Sequence, residues 1–257
     1  DRNAPQPLSP GEVRRNSDYD ETYLGVYNSA CRHRYAYTDP NELLERDTPP
    51  SLIYHNLITP VPHELNLDDI HLREEYLGPA GIYYYQLYTT LFMWGVEVLG
   101  WEVFMTAALI DSERFDRLFL EPAFRESVKL IEMLCRTDCP FVFLHDDIAD
   151  ASGPVFPPAW YDEFIFPRYR ELFSLVKAAR KKVIFVADGN MESFLGTLRE
   201  LGVDGVMLEN PATRLEATLE CFGDRLIIGG AETSVLTFGT PLEIDDHIRD
   251  LQRRISD

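Results

Sequence analysis

Acidic side chains follow an apolar run in the middle of the sequence, in the segment FVFLHDDIADASGP at residues 141–154. The run ends at His145, Asp146 and Asp147, and an imidazole beside two carboxylates can accept and donate protons. Two neighbouring carboxyl groups repel each other when both are ionised, which keeps one of them protonated. The segment predicts general acid catalysis, with Asp146 and Asp147 as catalytic residues and His145 as a substrate-binding residue. Adjacent strand residues face opposite ways, so we expect only one aspartate to point into a site.

Further polar residues end three later apolar segments. Asp188 ends VIFVAD and is followed by Asn190, Glu209 ends DGVMLE, and Glu232 ends RLIIGGAE. Parallel strands open their carboxyl ends on one face of a barrel, so these side chains are expected to converge with residues 145–147. We predict catalytic roles for Asp188 and Glu209, and substrate binding by Asn190 and Glu232.

Each of these acids also has a structural interpretation. Acidic residues favour the first turn of a helix, where they cap free N–H groups and interact with the helix dipole. This alternative stays open for any single residue. It fits Asp188 poorly, because the turn formed by Gly189 and Asn190 precedes the next helix pattern.

The order of apolar and amphipathic segments predicts an α/β fold. Four strand and helix pairs follow one another from residue 141 to residue 254, and such an alternation forms a parallel sheet covered by helices. The last three strands begin at residues 183, 204 and 225, one every 21 residues. This short repeat is typical of a (β/α)8 TIM barrel.

The N-terminal part of the chain is less regular. Residues 1–50 carry many charges and prolines without periodicity, so we predict an irregular arm there and a barrel domain over residues 51–257. Residues 51–58 form a candidate strand between prolines, and residues 83–105 fit either one buried helix or two packed segments. Residues 111–136 begin with acidic and hydroxyl side chains and predict a helix.

The composition argues against several classes of partner. The chain has 24 basic and 43 acidic residues, a net charge of −19, which repels nucleic acids and anionic membranes. No apolar run reaches the roughly 18 residues of a membrane span, and the polar N-terminus is unlike a signal peptide. We therefore predict a cytoplasmic protein. The four cysteines lack the spacing of a zinc site or a disulfide framework.

The polar motifs together resemble a known family. HDD at residues 145–147, GP at 153–154, DGN at 188–190 and GG at 229–230 are similar to the uroporphyrinogen decarboxylase superfamily, which includes corrinoid-dependent methyltransferases. The resemblance runs from about Trp94 to the end of the chain. It implies a TIM barrel with its site at the carboxyl ends of the strands.

The segment YHNLITP at residues 54–60 resembles the early strand of the family, which adds His55 and Asn56 as predicted substrate-binding residues. In the decarboxylase, an aspartate at the position of Asn56 binds pyrrole N–H groups. An amide oxygen cannot balance the positive charge that develops during decarboxylation. The chain also lacks the arginine-rich motif that holds a polycarboxylate, and an acidic site would repel such a substrate. The resemblance therefore disfavours porphyrinogen decarboxylation.

A second branch of the family, the thiol-activating methyltransferases, binds zinc through a His-x-Cys pair. Val186 and Asp188 stand at those two positions, and because valine cannot ligate a metal, we predict no zinc. The remaining expectation is a methyltransferase that moves a methyl group from a small methylated substrate, such as a methoxy compound, to a corrinoid (cobalamin) on a partner protein. A carboxyl group would act as the general acid. A decarboxylase and a non-catalytic tetrapyrrole-binding protein are the alternatives.

The resemblance also implies one more strand, ending in a histidine, beyond the last predicted helix. The sequence ends at Asp257, so we expect a barrel that is incomplete in this chain or closed by a partner. Pairing of two copies of the chain is a further possibility that the sequence leaves open.

Overall fold

The computed structural model describes residues 37–50, 71, 75 and 85–255. The strands in this part of the chain are β1 (Tyr85–Leu87), β2 (Phe141–His145), β3 (Ala149–Asp150), β4 (Gly153–Pro154), β5 (Lys182–Ala187), β6 (Gly205–Leu208) and β7 (Leu226–Gly229). The α-helices are α1 (Pro40–Leu44), α2 (Phe92–Leu99), α3 (Trp101–Ile110), α4 (Ser112–Phe115), α5 (Glu121–Leu134), α6 (Pro158–Phe164), α7 (Phe166–Ala178), α8 (Leu195–Glu200), α9 (Leu215–Phe222), α10 (Thr233–Phe238) and α11 (Pro241–Arg254).

Five strands form one parallel sheet in the order β1, β2, β5, β6, β7, while β3 and β4 pair with each other in antiparallel fashion. Every neighbouring pair in the larger sheet is parallel, so the carboxyl ends of its strands lie along one edge. The predicted α/β fold with a parallel sheet is confirmed. The sheet is consistent with part of a TIM barrel, but it does not close into a barrel within the described residues.

The register of the sheet defines two faces. Phe143 pairs with Ile184, and His145 pairs with Val186. Paired residues of parallel strands point to the same face, and successive residues alternate. Phe143, Ile184 and Val186 pack together in a small cluster, and we call their side of the sheet the inner face. Leu144 belongs to the main hydrophobic core, and we call its side the outer face.

The outer face packs against helices through buried aromatic rings. Phe185 of β5 lies 5.5 Å from Tyr169 and 6.3 Å from Phe173, measured between ring centroids. Both partners lie on α7, and all three rings are fully buried. Aromatic rings at these separations stabilise the packing beyond the area that they bury. This layer fixes α7 against the sheet and places its tyrosine behind the end of β2.

From residue 85 onward, the segment predicted at residues 83–105 contains β1, α2 and the first part of α3, while residues 83 and 84 lie outside the described residues. The sequence allowed for two packed segments but not for β1. Gly100 separates α2 from α3 with φ 78°, a conformation that favours glycine. The two helices are bent by 120° at this point. In the described part of the chain, no single helix is long and apolar enough to cross a membrane, although this bent pair reaches the length.

Two other helical segments are interrupted. The helix predicted at residues 111–136 contains a π-helical turn at Asp116–Leu120, directly before α5. Pro122 lies in the first turn of α5, and a proline has no N–H to continue the preceding hydrogen-bond ladder. α6 and α7 are separated at Ile165, and Pro167 lies in the first turn of α7, where it likewise has no N–H to continue the preceding hydrogen-bond ladder. The candidate strand at residues 51–58 lies outside the described residues.

Candidate functional site

His145 ends β2 on the inner face and is held from three sides. Its Nε2 atom lies 2.9 Å from Oδ1 of Asp147, and its Nδ1 atom lies 3.0 Å from Nε2 of Gln86. The ring of Tyr88 packs against it edge-on, with 4.7 Å between centroids. The imidazole is 7% exposed, so these contacts fix its orientation within the sheet edge.

Asp147 connects β2 with β5. Besides the imidazole of His145, its Oδ1 atom accepts a hydrogen bond from the backbone N–H of Asp188 at 2.8 Å. Asp147 and Asp188 each lie two residues beyond the paired residues His145 and Val186, so both follow the inner-face register. The strand ends therefore bring these two carboxyl groups together.

Glu209 extends this arrangement to β6. Its Oε2 atom accepts a hydrogen bond from the N–H of Gly189 at 3.3 Å. Gly189 has φ +80°, and a Cβ atom there would lie 2.5 Å from the carbonyl oxygen of Ala149. Only glycine fits this turn, which explains the DGN motif. We call Asp147, Asp188 and Glu209 the acid row.

Charge and burial raise the pKa values of two residues of the cluster, Asp188 and His145. Partial burial of its carboxyl group raises the pKa of Asp188, repulsion from Asp147 and Glu209 adds to this effect, and the nearby imidazole of His145 opposes it. Burial by itself lowers the pKa of His145, but the hydrogen bond and charge of Asp147, with the charges of Asp188 and Asp146, raise it overall. Both groups hold a proton to higher pH than usual.

Asp146 points to the outer face and makes a different set of contacts. Its Oδ2 atom accepts hydrogen bonds from the N–H groups of Leu91 and Phe92 at 2.9 and 2.7 Å, and its Oδ1 atom accepts one from Met93 at 2.6 Å. The hydroxyl of Tyr169 donates to Oδ2 at 2.6 Å. Burial raises the pKa of Asp146 to about 6, although the hydrogen bonds from Tyr169, Met93 and Phe92 favour the ionised form. The carboxyl group is fully buried and caps the first turn of α2.

A comparison with protein families identifies the chain. The sequence model of the family Uroporphyrinogen decarboxylase (URO-D) matches residues 92–256, more than half of the 257 residues. The chain belongs to this family. The family covers decarboxylases and corrinoid methyltransferases, and its members are typically enzymes. A comparison with curated proteins found no match.

The family match includes His145 and the whole acid row, whereas β1, with Gln86, lies before it. Sequence analysis did not identify Gln86 as a site residue. A single amide within the aromatic run YYYQLY is the only signal that could have drawn attention to it. The side-chain amide of Gln86 contacts His145 although the two residues are 59 positions apart in the sequence. No local pattern predicts such a contact.

The remaining predicted site residues make local contacts. The Oδ1 atom of Asn190 accepts a hydrogen bond from the N–H of Glu192 at 3.1 Å, within the same turn. Glu232 precedes α10, and its N–H donates to Nε2 of His247 at 3.0 Å. These hydrogen bonds do not connect either residue to the acid row. His55 and Asn56 lie outside the described residues.

The cluster also offers a geometry for a cation. One ligand atom each from His145, Asp147 and Asp188 lies within 4.8 Å of the others, and imidazole with carboxylate oxygen can bind a divalent metal ion. Val186, at one of the two positions where the zinc-binding branch of the family would have a ligand, instead packs with Phe143 and Ile184 on the inner face. The arrangement therefore does not reproduce the His-x-Cys zinc site.

Proposed function

We propose that this member of the uroporphyrinogen decarboxylase family is a methyltransferase with Asp188 as its general acid. The methyl donor would be a small methylated compound such as a methyl ether, and the acceptor a corrinoid on a partner protein. The observation that carries the proposal is the position of Asp188 beside Asp147 at the sheet edge. The carboxyl group of Asp147 accepts two hydrogen bonds there, and the pKa of Asp188 beside it is raised.

The protonated carboxyl of Asp188 is the group needed to cleave a methyl ether. When the bond between the ether oxygen and the methyl carbon breaks, that oxygen keeps the electron pair and takes the proton from Asp188. The methyl group would pass to the corrinoid of the partner protein, the ether oxygen would leave as an alcohol or phenol, and the ionised carboxylate of Asp188 would regain its proton from solvent. Asp188 is exposed, so both substrate and solvent can reach it.

The carboxylate of Asp147, held by His145, keeps the carboxyl group of Asp188 protonated. The imidazole and the backbone N–H of Asp188 both donate to Oδ1 of Asp147, and these two hydrogen bonds fix the carboxylate of Asp147 beside Asp188. This fixed negative charge then disfavours ionisation of Asp188. Asp146 is left out of the proposal because its four hydrogen bonds hold it on the opposite face.

The charge of the acid row selects the class of substrate. Three carboxyl groups lie at neighbouring strand ends, and they would repel a substrate that carries several carboxylates of its own. A neutral methyl ether avoids this repulsion. A corrinoid, when bound to its own carrier protein, would supply the nucleophilic metal that accepts the methyl group. Decarboxylation of a polycarboxylated tetrapyrrole fits the acid row less well and is the second candidate.

The proposal is tested by incubating the protein with methoxyphenols and reduced cobalamin and measuring the demethylated phenol. We expect product with the wild type and a fall in rate of about a hundredfold or more in Asp188→Asn, since general acids contribute on the order of 10²–10⁴ in rate. Asp245→Asn, at an exposed position of α11, is the matched control and should keep the full rate. Release of carbon dioxide from a tetrapyrrole would instead support the decarboxylase, and tetrapyrrole binding without turnover would support the non-catalytic alternative.

A further inference from the structure

We propose that Thr213 is a positioning residue whose hydroxyl group holds the turn that carries Asp188. The turn consists of residues 188–191, directly after β5, and we call it the β5 turn. This inference deepens the proposed function and rests on it for its catalytic consequence. Its structural part, the control of the β5 turn by one hydroxyl group, can be measured without any enzymatic activity.

Each of the four backbone N–H groups of the β5 turn donates to a partner from another segment of the chain. In the order of the turn, the acceptors are a carboxylate of Asp147, a carboxylate of Glu209, the carbonyl oxygen of Asp150 and the hydroxyl of Thr213. These acceptors follow β2 and β6 or lie in β3. The path of the backbone through the turn is therefore set by the neighbouring strand ends.

Thr213 holds two successive peptide groups of the turn. Its Oγ1 atom donates to the carbonyl oxygen of Gly189 at 2.8 Å and accepts from the N–H of Met191 at 2.9 Å. A carbonyl oxygen can only accept a hydrogen bond and a backbone N–H can only donate one. The two partners therefore define the orientation of the hydroxyl group, and a single side chain spans the middle of the turn.

The position of Thr213 is itself well defined. The residue is 2% exposed, and its N–H donates to the carbonyl oxygen of Glu209 at 2.9 Å. The carboxylate of Glu209 in turn accepts from the N–H of Gly189. The segment from Glu209 to Thr213 thus contacts Gly189 at both its N–H and its carbonyl oxygen.

Loss of the hydroxyl would leave the carbonyl oxygen of Gly189 and the N–H of Met191 without this partner. Both residues are buried, and an unsatisfied polar group costs free energy in such a position, so the two peptide groups would rotate toward other partners. Asp188 directly precedes Gly189, and its hydrogen bond to Asp147 is formed by its backbone N–H. Rotation within the turn would therefore move the carboxyl group of Asp188 away from Asp147.

The structural part is tested by NMR measurement of hydrogen exchange at the amides of the β5 turn. Thr213→Val replaces the hydroxyl with a methyl group of similar size. We expect exchange to become faster on the order of tenfold at residues 188–190 as well as at Met191, since two hydrogen bonds are lost. Thr213→Ser keeps the hydroxyl and should exchange nearly as slowly as the wild type. Faster exchange at Met191 alone would show that Thr213 caps one N–H and does not hold the turn.

Thr218 provides the matched control. It is also buried, at 3% exposed, but its hydroxyl donates to the carbonyl oxygen of Arg214 at 3.1 Å, at the start of α9. Thr218→Val should therefore leave exchange in the β5 turn unchanged.

A second pair of variants applies even if Thr213→Val does not fold. Thr213→Cys and Thr213→Ser differ only in a sulfur for an oxygen atom, and a thiol is a weak donor and a weak acceptor. The cysteine variant should exchange faster than the serine variant at all four amides. Equal exchange in the two variants would overturn the role of the hydroxyl.

The same variants are tested for demethylation of methoxyphenols with reduced cobalamin. Thr213→Val should lower kcat on the order of ten- to a hundredfold, since displacement of a reacting group by about 1 Å can cost a hundredfold. KM should change little, because Thr213 contacts the turn and not the substrate. Thr213→Ser should recover most of the rate, and Thr218→Val should keep the full rate.

The outcomes separate this inference from the proposed function. If exchange at residues 188–190 is the same in the wild type and in Thr213→Val, the role of Thr213 is refuted, whether or not the protein transfers methyl groups. If the wild type forms phenol and Thr213→Val does so with an unchanged kcat, the role of Thr213 is refuted and the proposed function stands. If exchange changes as expected but the wild type forms no phenol, Thr213 still positions the turn and the methyltransferase proposal fails.

Discussion

Asp146 and Asp147 are adjacent in the sequence but lie in opposite environments. Asp146 is fully buried behind the sheet and accepts four hydrogen bonds, three of them from backbone N–H groups of residues 91–93. Asp147 lies on the inner face, where its contacts are an imidazole and the N–H of a residue at the next strand end. One carboxyl group stabilises the start of a helix, and the other belongs to a cluster of titratable groups.

This difference shows that residue type and position along the chain do not separate a structural acid from a functional one. Both aspartates follow the same hydrophobic strand, and both fit a helix-capping as well as a catalytic interpretation. The alternation of side chains across the sheet assigns one to each face. The first three predictions compare the two environments, and the last tests the charge of Asp147.

The largest effect on folding is expected from Asp146→Ala. The substitution leaves three buried N–H groups and the hydroxyl of Tyr169 without their acceptor, and each such group costs about 1–3 kcal/mol. We expect the free energy of unfolding in urea to fall by about 3 kcal/mol or more. Asp147→Ala, the matched change at the neighbouring residue, should lower it by a clearly smaller amount, because the Asp147 side chain is partly exposed, at 17%, and accepts two hydrogen bonds where Asp146 accepts four. Equal losses in both variants would contradict the comparison.

Asp147→Asn should affect activity and leave folding nearly intact. The amide keeps the shape of the side chain but carries no negative charge, so it no longer disfavours ionisation of Asp188. We expect the rate of methoxyphenol demethylation to fall on the order of a hundredfold, with the urea midpoint close to that of the wild type. A variant with full activity would exclude Asp147 from the proposed chemistry.

Tyr169→Phe should produce a smaller loss of stability on the outer face. The change removes the hydroxyl that donates to Asp146 at 2.6 Å while keeping the ring that packs against Phe185. We expect a loss of about 1–3 kcal/mol in urea unfolding, as for a hydrogen bond to a charged group. In the Asp146→Ala background the same change should cost clearly less, because the partner is already absent.

The smallest effect concerns the pH dependence of stability. The raised pKa of His145 depends mainly on Asp147, so its contribution to stability is fully present below the ordinary pKa of about 6.5 and is lost as pH rises through the raised value. In Asp147→Asn, burial should prevail and lower the pKa of His145. An NMR titration of this imidazole in both proteins measures the change, and an unshifted titration would show that Asp147 does not set it.

Much of the fold could be predicted from local patterns. The four strand and helix pairs predicted between residues 141 and 254 are observed, with the first strand at Phe141–His145 and the last helix ending at Arg254. The turns, and the helix boundaries at prolines, depend on residues that are close to them in the sequence. Local patterns did not predict β1 within its aromatic segment, nor the π-helical turn before α5. β1 depends on pairing with β2, which lies far along the chain at residues 141–145.

The sequence by itself determined the α/β class, the family, and the positions of the acids at successive strand ends. These features follow from hydrophobic periodicity, chain order and motif spacing, which are properties of the chain alone. Only the tertiary structure decided that Asp147 faces inward, that Asp146 caps a helix, and that Gln86 contacts His145. Alternation along a strand shows that neighbours face opposite sides, but only the packing of α2 and α7 against one face of the sheet fixes which side is buried.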